Sequence, residues 1–163
     1  MTAHRRENFG RPLEDICSAL LQIVGRYGDA VHVVYPVHLN PNVQEPVHRL
    51  LGDSGNITLL PPLDYLLLVQ LMKRAYLVLT DSGGIQEEAP GLGKPVLVLR
   101  EKTERPEAVE AGTVRLVGTD PAQIVLWVQR LMGEPLEYER MARAVNPYGD
   151  GRAAKRIVRE LLS

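Results

Sequence analysis

The chain has 163 residues, 45% of them apolar and 24% charged, with a formal net charge of −1. That length suits one domain with its own core, and the near-neutral charge excludes a broad nucleic-acid surface while leaving room for a local cationic patch. A single cysteine, Cys17, excludes an internal disulfide and a thiolate zinc cluster.

In chain order, residues 13–27 place Ile16, Leu20, Ile23 and Val24 on one stripe, which predicts an amphipathic helix stopped at Gly28. Residues 30–35 are a short β-branched run and predict a strand. Residues 42–51 predict a helix carrying Val43, Val47, Leu50 and Leu51. A second strand is expected over 56–60, halted by Pro61-Pro62, and a helix over 64–73 with Asp64 as its N-cap. Strands follow at 76–80, 95–99 and 113–117. Asp120-Pro121 opens a helix that runs to about Met132. Further helices are expected over 136–143 and 151–162, the last with a stripe of Ala154, Ile157, Val158 and Leu161.

Each predicted strand is nearly continuous in apolar residues, as in a parallel sheet covered on both faces. Strands alternating with helices imply right-handed βαβ crossovers and one α/β domain with a Rossmann-like, doubly wound parallel sheet over residues 1–163. Ligands on such sheets sit beyond the carboxyl ends of the strands. The loops after Tyr35, Leu60, Thr80 and Leu99 are therefore the places for a site. No apolar run nears the ~18 residues of a membrane span. Residues 1–10 are polar and lack a signal-peptide pattern, so a cytoplasmic location is expected.

The strongest local signal is Thr80-Asp81-Ser82-Gly83-Gly84-Ile85-Gln86-Glu87-Glu88-Ala89. A strand ends, a Ser-Gly-Gly turn follows and a helix begins. Free N–H groups at the helix start favour phosphate, glycines let a ligand approach the backbone, and Ser82 adds a hydroxyl. Glu88, about one turn in, can accept hydrogen bonds from a ribose diol. A plain N-cap with a tight turn explains the same residues. Gly91-Leu92-Gly93-Lys94 matches neither a Walker loop nor a dinucleotide fingerprint, and is expected to end a helix and enter a strand.

Thr103-Glu104-Arg105-Pro106-Glu107 puts an arginine on the ligand edge, where its planar fork can grip a diphosphate. As a bare pattern, a solvated charged loop is the commoner reading. His4-Arg5-Arg6 suits an anion but also an ordinary charged arm. His38 follows a strand on the same edge. His4, His32, His38 and His48 lack metal-ligand spacing, so no metal is expected. Cys17 lies mid-helix and is expected to be buried and inert.

Six motifs occur in order: His4-Arg5-Arg6-Glu7-Asn8, Tyr35-Pro36-Val37-His38-Leu39-Asn40-Pro41, the Thr80 to Ala89 run, Gly93-Lys94-Pro95, Thr103-Glu104-Arg105-Pro106-Glu107, and Asn146-Pro147-Tyr148-Gly149-Asp150-Gly151. Together they resemble the C-terminal half of the non-hydrolysing UDP-N-acetylglucosamine 2-epimerases over nearly the whole chain.

The resemblance implies the C-terminal domain of a glycosyltransferase-B type architecture, in which two Rossmann-like domains flank the active-site cleft. It implies interconversion of UDP-N-acetylglucosamine and UDP-N-acetylmannosamine by elimination and re-addition of UDP, with no oxidising cofactor. By motif position, His4 and Arg105 would contact the diphosphate, Ser82, Gly83 and Gly84 the phosphate oxygens, Glu88 the ribose, and Leu68 the uracil pocket, where the family often has Phe. Arg5 and His38 match positions of an allosteric site for a second UDP-N-acetylglucosamine.

A complete member has an N-terminal domain of comparable size before this point. That domain carries most of the proposed acid/base carboxylates. The first strand of the sheet is expected to be missing or reduced to Met1-Thr2-Ala3. The chain is therefore expected to bind UDP weakly and to be inactive alone, whether as a fragment, a shortened gene product or half of a split enzyme. The family forms homodimers; neither nucleic acid nor membrane is an expected partner. The other readings are a stand-alone nucleotide-sugar binding or regulatory module and a glycosyltransferase-B type transferase domain.

Overall fold

The computed structural model describes residues 1–162. Among them, five strands alternate with helices in the expected order. These are α1 (Arg11–Tyr27), β1 (Val33–Pro36), α2 (Pro41–Leu51), β2 (Ile57–Leu60), α3 (Tyr65–Arg74), β3 (Val78–Thr80), α4 (Gly83–Gly91), β4 (Val96–Val98), α5 (Pro106–Glu110), β5 (Val114–Leu116), α6 (Pro121–Gly133), α7 (Pro135–Ala142) and α8 (Ala153–Leu161). Single 3-10 turns add Arg6–Asn8 and Gly28–Ala30. Asp64 and Asp120 cap α3 and α6 through their side chains, as their positions predict. Proline in the first turn starts α1, α2, α5, α6 and α7.

Every strand pairing is parallel. β1 pairs with β2 in the register Val33↔Ile57 to Pro36↔Leu60, and β3, β4 and β5 form a second ladder. The strands are shorter than the apolar runs that announce them, because a strand lasts only as long as its neighbour in the ladder. Residues 28–30 turn instead of extending, so β1 begins at Val33.

Both faces of the sheet are covered, as a doubly wound arrangement requires. Leu79 and Leu97 point into a large cluster built with α1, α2 and α6, including Ile16, Leu20 and Ile124. Their neighbours Val78, Val96 and Val98 point the other way, into a smaller cluster with Met72, Ile85 and Ala89. Successive strand residues alternate faces, so the two clusters are a direct product of the pleat.

The segment from Met1 to Ala3 links the two ladders, and the Tyr35 hydroxyl on β1 donates to Ala3 O at 2.9 Å. The Met1 amino group donates to Val34 O at 2.7 Å. Thr2 N donates to Leu79 O at 2.9 Å, and Asp81 N donates to Thr2 O at 3.2 Å. Thr2 is thus a single rung between β1 and β3, matching the expected remnant of a strand. On the amino side of that rung, a cavity of about 470 Å³ separates β1 from β3; Val31, Val33, Leu77, Leu79 and Met132 are among its walls.

The C-terminal helix forms as its spacing predicts. The stripe of Ala154, Ile157, Val158 and Leu161 lies on a helix, but all of α8 is exposed. Spacing reveals that a helix has an apolar face; it does not reveal whether this chain supplies the surface to cover it.

Candidate functional site

The loops after β1, β2 and β3 converge on a cleft of about 290 Å³ at the carboxyl ends of the strands. His4, His38, Leu68, Ser82, Gly84 and Glu88 all line it. The larger 470 Å³ cavity lies at the opposite, amino end and is mostly apolar. Topology favours the smaller cleft, because crossover connections leave the carboxyl edge open for ligand-binding loops.

The start of α4 forms one wall. Thr80 and Asp81 are fully buried. The Thr80 hydroxyl sits 2.7 Å from the Thr2 hydroxyl and accepts from Ser82 N at 3.0 Å, which fixes the turn. Ser82 is the N-cap, yet its hydroxyl makes no capping hydrogen bond, so it stays available. Neither Gly83 nor Gly84 has positive φ. A methyl group on Gly84 would come no nearer than 3.9 Å to Glu88 Oε1, an ordinary contact. The fold therefore does not require glycine at Gly84. A ligand pressed against the first turn would.

Asp81 organises the second wall. Its Oδ2 accepts from His4 N and Arg5 N, both at 2.8 Å, and from Asn8 Nδ2 at 3.0 Å. Asn8 also donates to Leu99 O at 3.1 Å, tying the turn at Arg6–Asn8 to the end of β4. The other oxygen, Oδ1, has no hydrogen-bond partner and faces His4 Nδ1 at 3.5 Å. His38 stacks on His4 with ring centroids 5.4 Å apart. Burial pulls the His4 imidazole below its ordinary value; Asp81 opposes this, while His38 and Arg5 reinforce it.

Cations gather over Gly83. An added methyl there would lie 3.6 Å from one Arg5 guanidinium nitrogen and 4.0 Å from one of Arg105. Arg105 N-caps α5 and is held by an ion pair with Glu87. Its backbone N–H donates to the Thr103 hydroxyl, which in turn donates to Gln86 on α4 at 2.6 Å. Arg100, buried at the end of β4, pairs with Glu7 and Glu104 and so ties both arginine-bearing loops together. Its guanidinium holds the Glu104 carboxyl well below the usual range. Glu88 is exposed at the mouth of the cleft, and its carboxylate raises the Tyr65 phenol above its ordinary value.

The structure thus brings His4, Leu68, Ser82, Gly83, Gly84, Glu88 and Arg105 to one edge, with Arg5 and His38 beside them. Asp81, Glu87 and Tyr65 are neighbours that spacing alone did not single out. Cys17 is fully buried, and burial raises its thiol to about 12, in keeping with an inert core residue. Among the described residues, no three His, Cys, Asp or Glu side chains are grouped to hold a metal ion, and no helix is long and apolar enough to cross a membrane.

Fold and cleft together define an α/β domain that presents an anion-receptive helix start, two arginines and a carboxylate at a sheet edge. Comparison with known proteins makes this specific. The family model described as UDP-N-acetylglucosamine 2-epimerase matches residues 1–162, and the chain belongs to that family. It is 61% identical over 161 residues to the UDP-N-acetylglucosamine 2-epimerase of Escherichia coli K12 and 54% identical over 162 residues to that of Bacillus subtilis.

Those alignments cover 99% of this chain but only 43% and 42% of the relatives, whose C-terminal half it matches. The Neisseria meningitidis epimerase bound to UDP-GlcNAc superimposes with a TM-score of 0.93 at 51% identity, covering 99% of this chain and 43% of that one. The Staphylococcus aureus MnaA–UDP structure gives 0.93 at 48%, covering 99% and 44%. The fold is accordingly that of the C-terminal domain of a glycosyltransferase-B type architecture.

Proposed function

We propose that this chain is the nucleotide-holding half of a non-hydrolysing UDP-N-acetylglucosamine 2-epimerase. The observation that carries the reading is the convergence of His4, Ser82, Gly84 and Glu88 on one cleft, with Arg5 and Arg105 over Gly83. In this reading the first turn of α4 and the Ser82 hydroxyl hold phosphate oxygens, Arg105 and His4 flank the diphosphate, Glu88 takes the ribose hydroxyls, and Leu68 packs by the uracil.

The chemistry follows from that placement. The C2 proton is removed, the bond from the anomeric carbon to the diphosphate oxygen breaks, and UDP leaves a 2-acetamidoglucal. UDP then re-adds while a proton returns to the opposite face of C2. Negative charge builds on UDP as it departs, and preorganised cations and N–H dipoles stabilise it. The acid/base carboxylates come from the N-terminal domain. Arg5 and His38 belong, in this proposal, to a neighbouring site for a second nucleotide sugar.

The test is to incubate the 163-residue chain with UDP-N-acetylglucosamine, alone and with a separately produced N-terminal half of a close relative. Sugar anomeric signals are followed by NMR, and UDP binding by calorimetry. The expected result is UDP binding without turnover alone, and the manno epimer only with the second half. No UDP binding under either condition would sink the reading.

A further inference from the structure

The cleft contains a residue that the proposed chemistry does not use and the fold does not fully satisfy. Asp81 is completely buried, and its two oxygens have different surroundings. Oδ2 accepts three hydrogen bonds, from His4 N, Arg5 N and Asn8 Nδ2. Those bonds fix the backbone that carries His4. Oδ1 accepts none, although a buried carboxylate oxygen left unpaired is costly. The ring nitrogen Nδ1 of His4 lies 3.5 Å from it. The opposite side of the problem is the His4 ring itself. It is about a third exposed, lines the cleft, and is stacked by His38.

We propose that Asp81 is a positioning residue for His4, holding the imidazole as the Nδ1–H tautomer so that Nε2 is the nitrogen left free for a bound anion or a proton. The inference rests on the UDP reading only for what Nε2 meets; the tautomer itself is a property of the free chain. The physical logic is that of any carboxylate behind a histidine. One nitrogen donates to the carboxylate, the ring orientation is thereby set, and the protonated ring is stabilised when an anion arrives. A 3.5 Å separation is long for a hydrogen bond, and such contacts shorten when ligand completes the site. The charged or titratable groups acting on the ring are Asp81, which favours its protonation, and His38 and Arg5, which oppose it; Glu88 shares the cleft.

Asp81→Asn is close to isosteric. Its carbonyl oxygen can still accept from the three donors, while its NH2 group now faces Nδ1 and forces that nitrogen to become an acceptor. The experiment is long-range ¹H–¹⁵N NMR of the imidazoles at about pH 8, where an unprotonated ring reports its tautomer. The His4→Gln chain identifies the His4 signals by their disappearance. Expected are Nδ1–H for His4 in the unmutated chain, Nε2–H in Asp81→Asn, and a His4 titration midpoint moved to lower pH. UDP affinity in Asp81→Asn should fall by roughly tenfold or more, the scale of a hydrogen bond to a charged group.

A purely structural Asp81 would lower stability but leave the tautomer unchanged, and that result overturns the proposal. So does a neutral His4 found as Nε2–H in the unmutated chain, a measurement that stands even if the variant fails to fold. If UDP does not bind at all, the UDP reading fails while the tautomer result still decides the role of Asp81.

Discussion

Two regions of the molecule use burial in opposite ways. Beneath α1, α2 and α6 the buried residues are almost wholly apolar, with Leu13, Ile16, Leu20, Val43 and Val47 each 1% exposed or less. At the carboxyl ends of β3 and β4 the buried set is Asn8, Thr80, Asp81, Gln86 and Arg100. The first region stabilises by removing carbon from water. The second carries polar groups whose desolvation has to be offset by hydrogen bonds, and two of its atoms, Asp81 Oδ1 and Gln86 Nε2, have none. The contrast shows where the fold tolerates cost, and it does so beside the cleft.

That contrast can be broken by moving substitutions between the regions. The largest effect is expected in the apolar region. Leu20→Ala empties a fully buried position on α1 and should cost about 2–5 kcal/mol in urea unfolding, with UDP affinity unchanged for the fraction that remains folded. A loss of affinity in that folded fraction would mean the two regions are coupled.

Gly84→Ala should act the other way round. The added methyl meets only ordinary contacts and a helix gains from losing glycine, so stability should hold or rise by up to about 1 kcal/mol. UDP affinity should nevertheless fall, because the methyl occupies the face of the first turn. Unchanged affinity in calorimetry would move the phosphate away from this turn.

The smallest effect is expected at the end of the chain. Stopping translation before Ala153 removes α8, which is exposed along its whole length. The thermal midpoint should shift by no more than a few degrees, since little buried surface is lost. A drop of ten degrees or more would show that α8 contributes to the core in solution.

The fold was legible because apolar runs of strand length alternate with stripes of helical spacing. The ends of the strands were not, since β1 starts where Ile57 can pair with Val33, a fact held in another segment. The candidate residues fall together because parallel topology carries the strands' exit loops to one edge. Their partners were hidden for a different reason. Asp81 meets residues more than seventy positions away, and Arg105 meets Glu87 across two elements. Such pairings depend on three-dimensional approach, which spacing along one segment does not encode. The same limit applies to α8, whose stripe is legible in the sequence while its exposure is set by what lies against it.

The rung at Thr2 has a consequence for how the molecule yields. Backbone hydrogen bonds at Met1 and Thr2, the Thr2–Thr80 hydroxyl contact and the Tyr35 hydroxyl on Ala3 O link the β1–β2 ladder to the β3–β5 ladder. The two ladders also share one apolar cluster, in which Val33, Tyr35 and Ile57 pack with Leu79 and Leu97. Opening one ladder therefore exposes the core that the other shares, and amide protection in the two should be lost together.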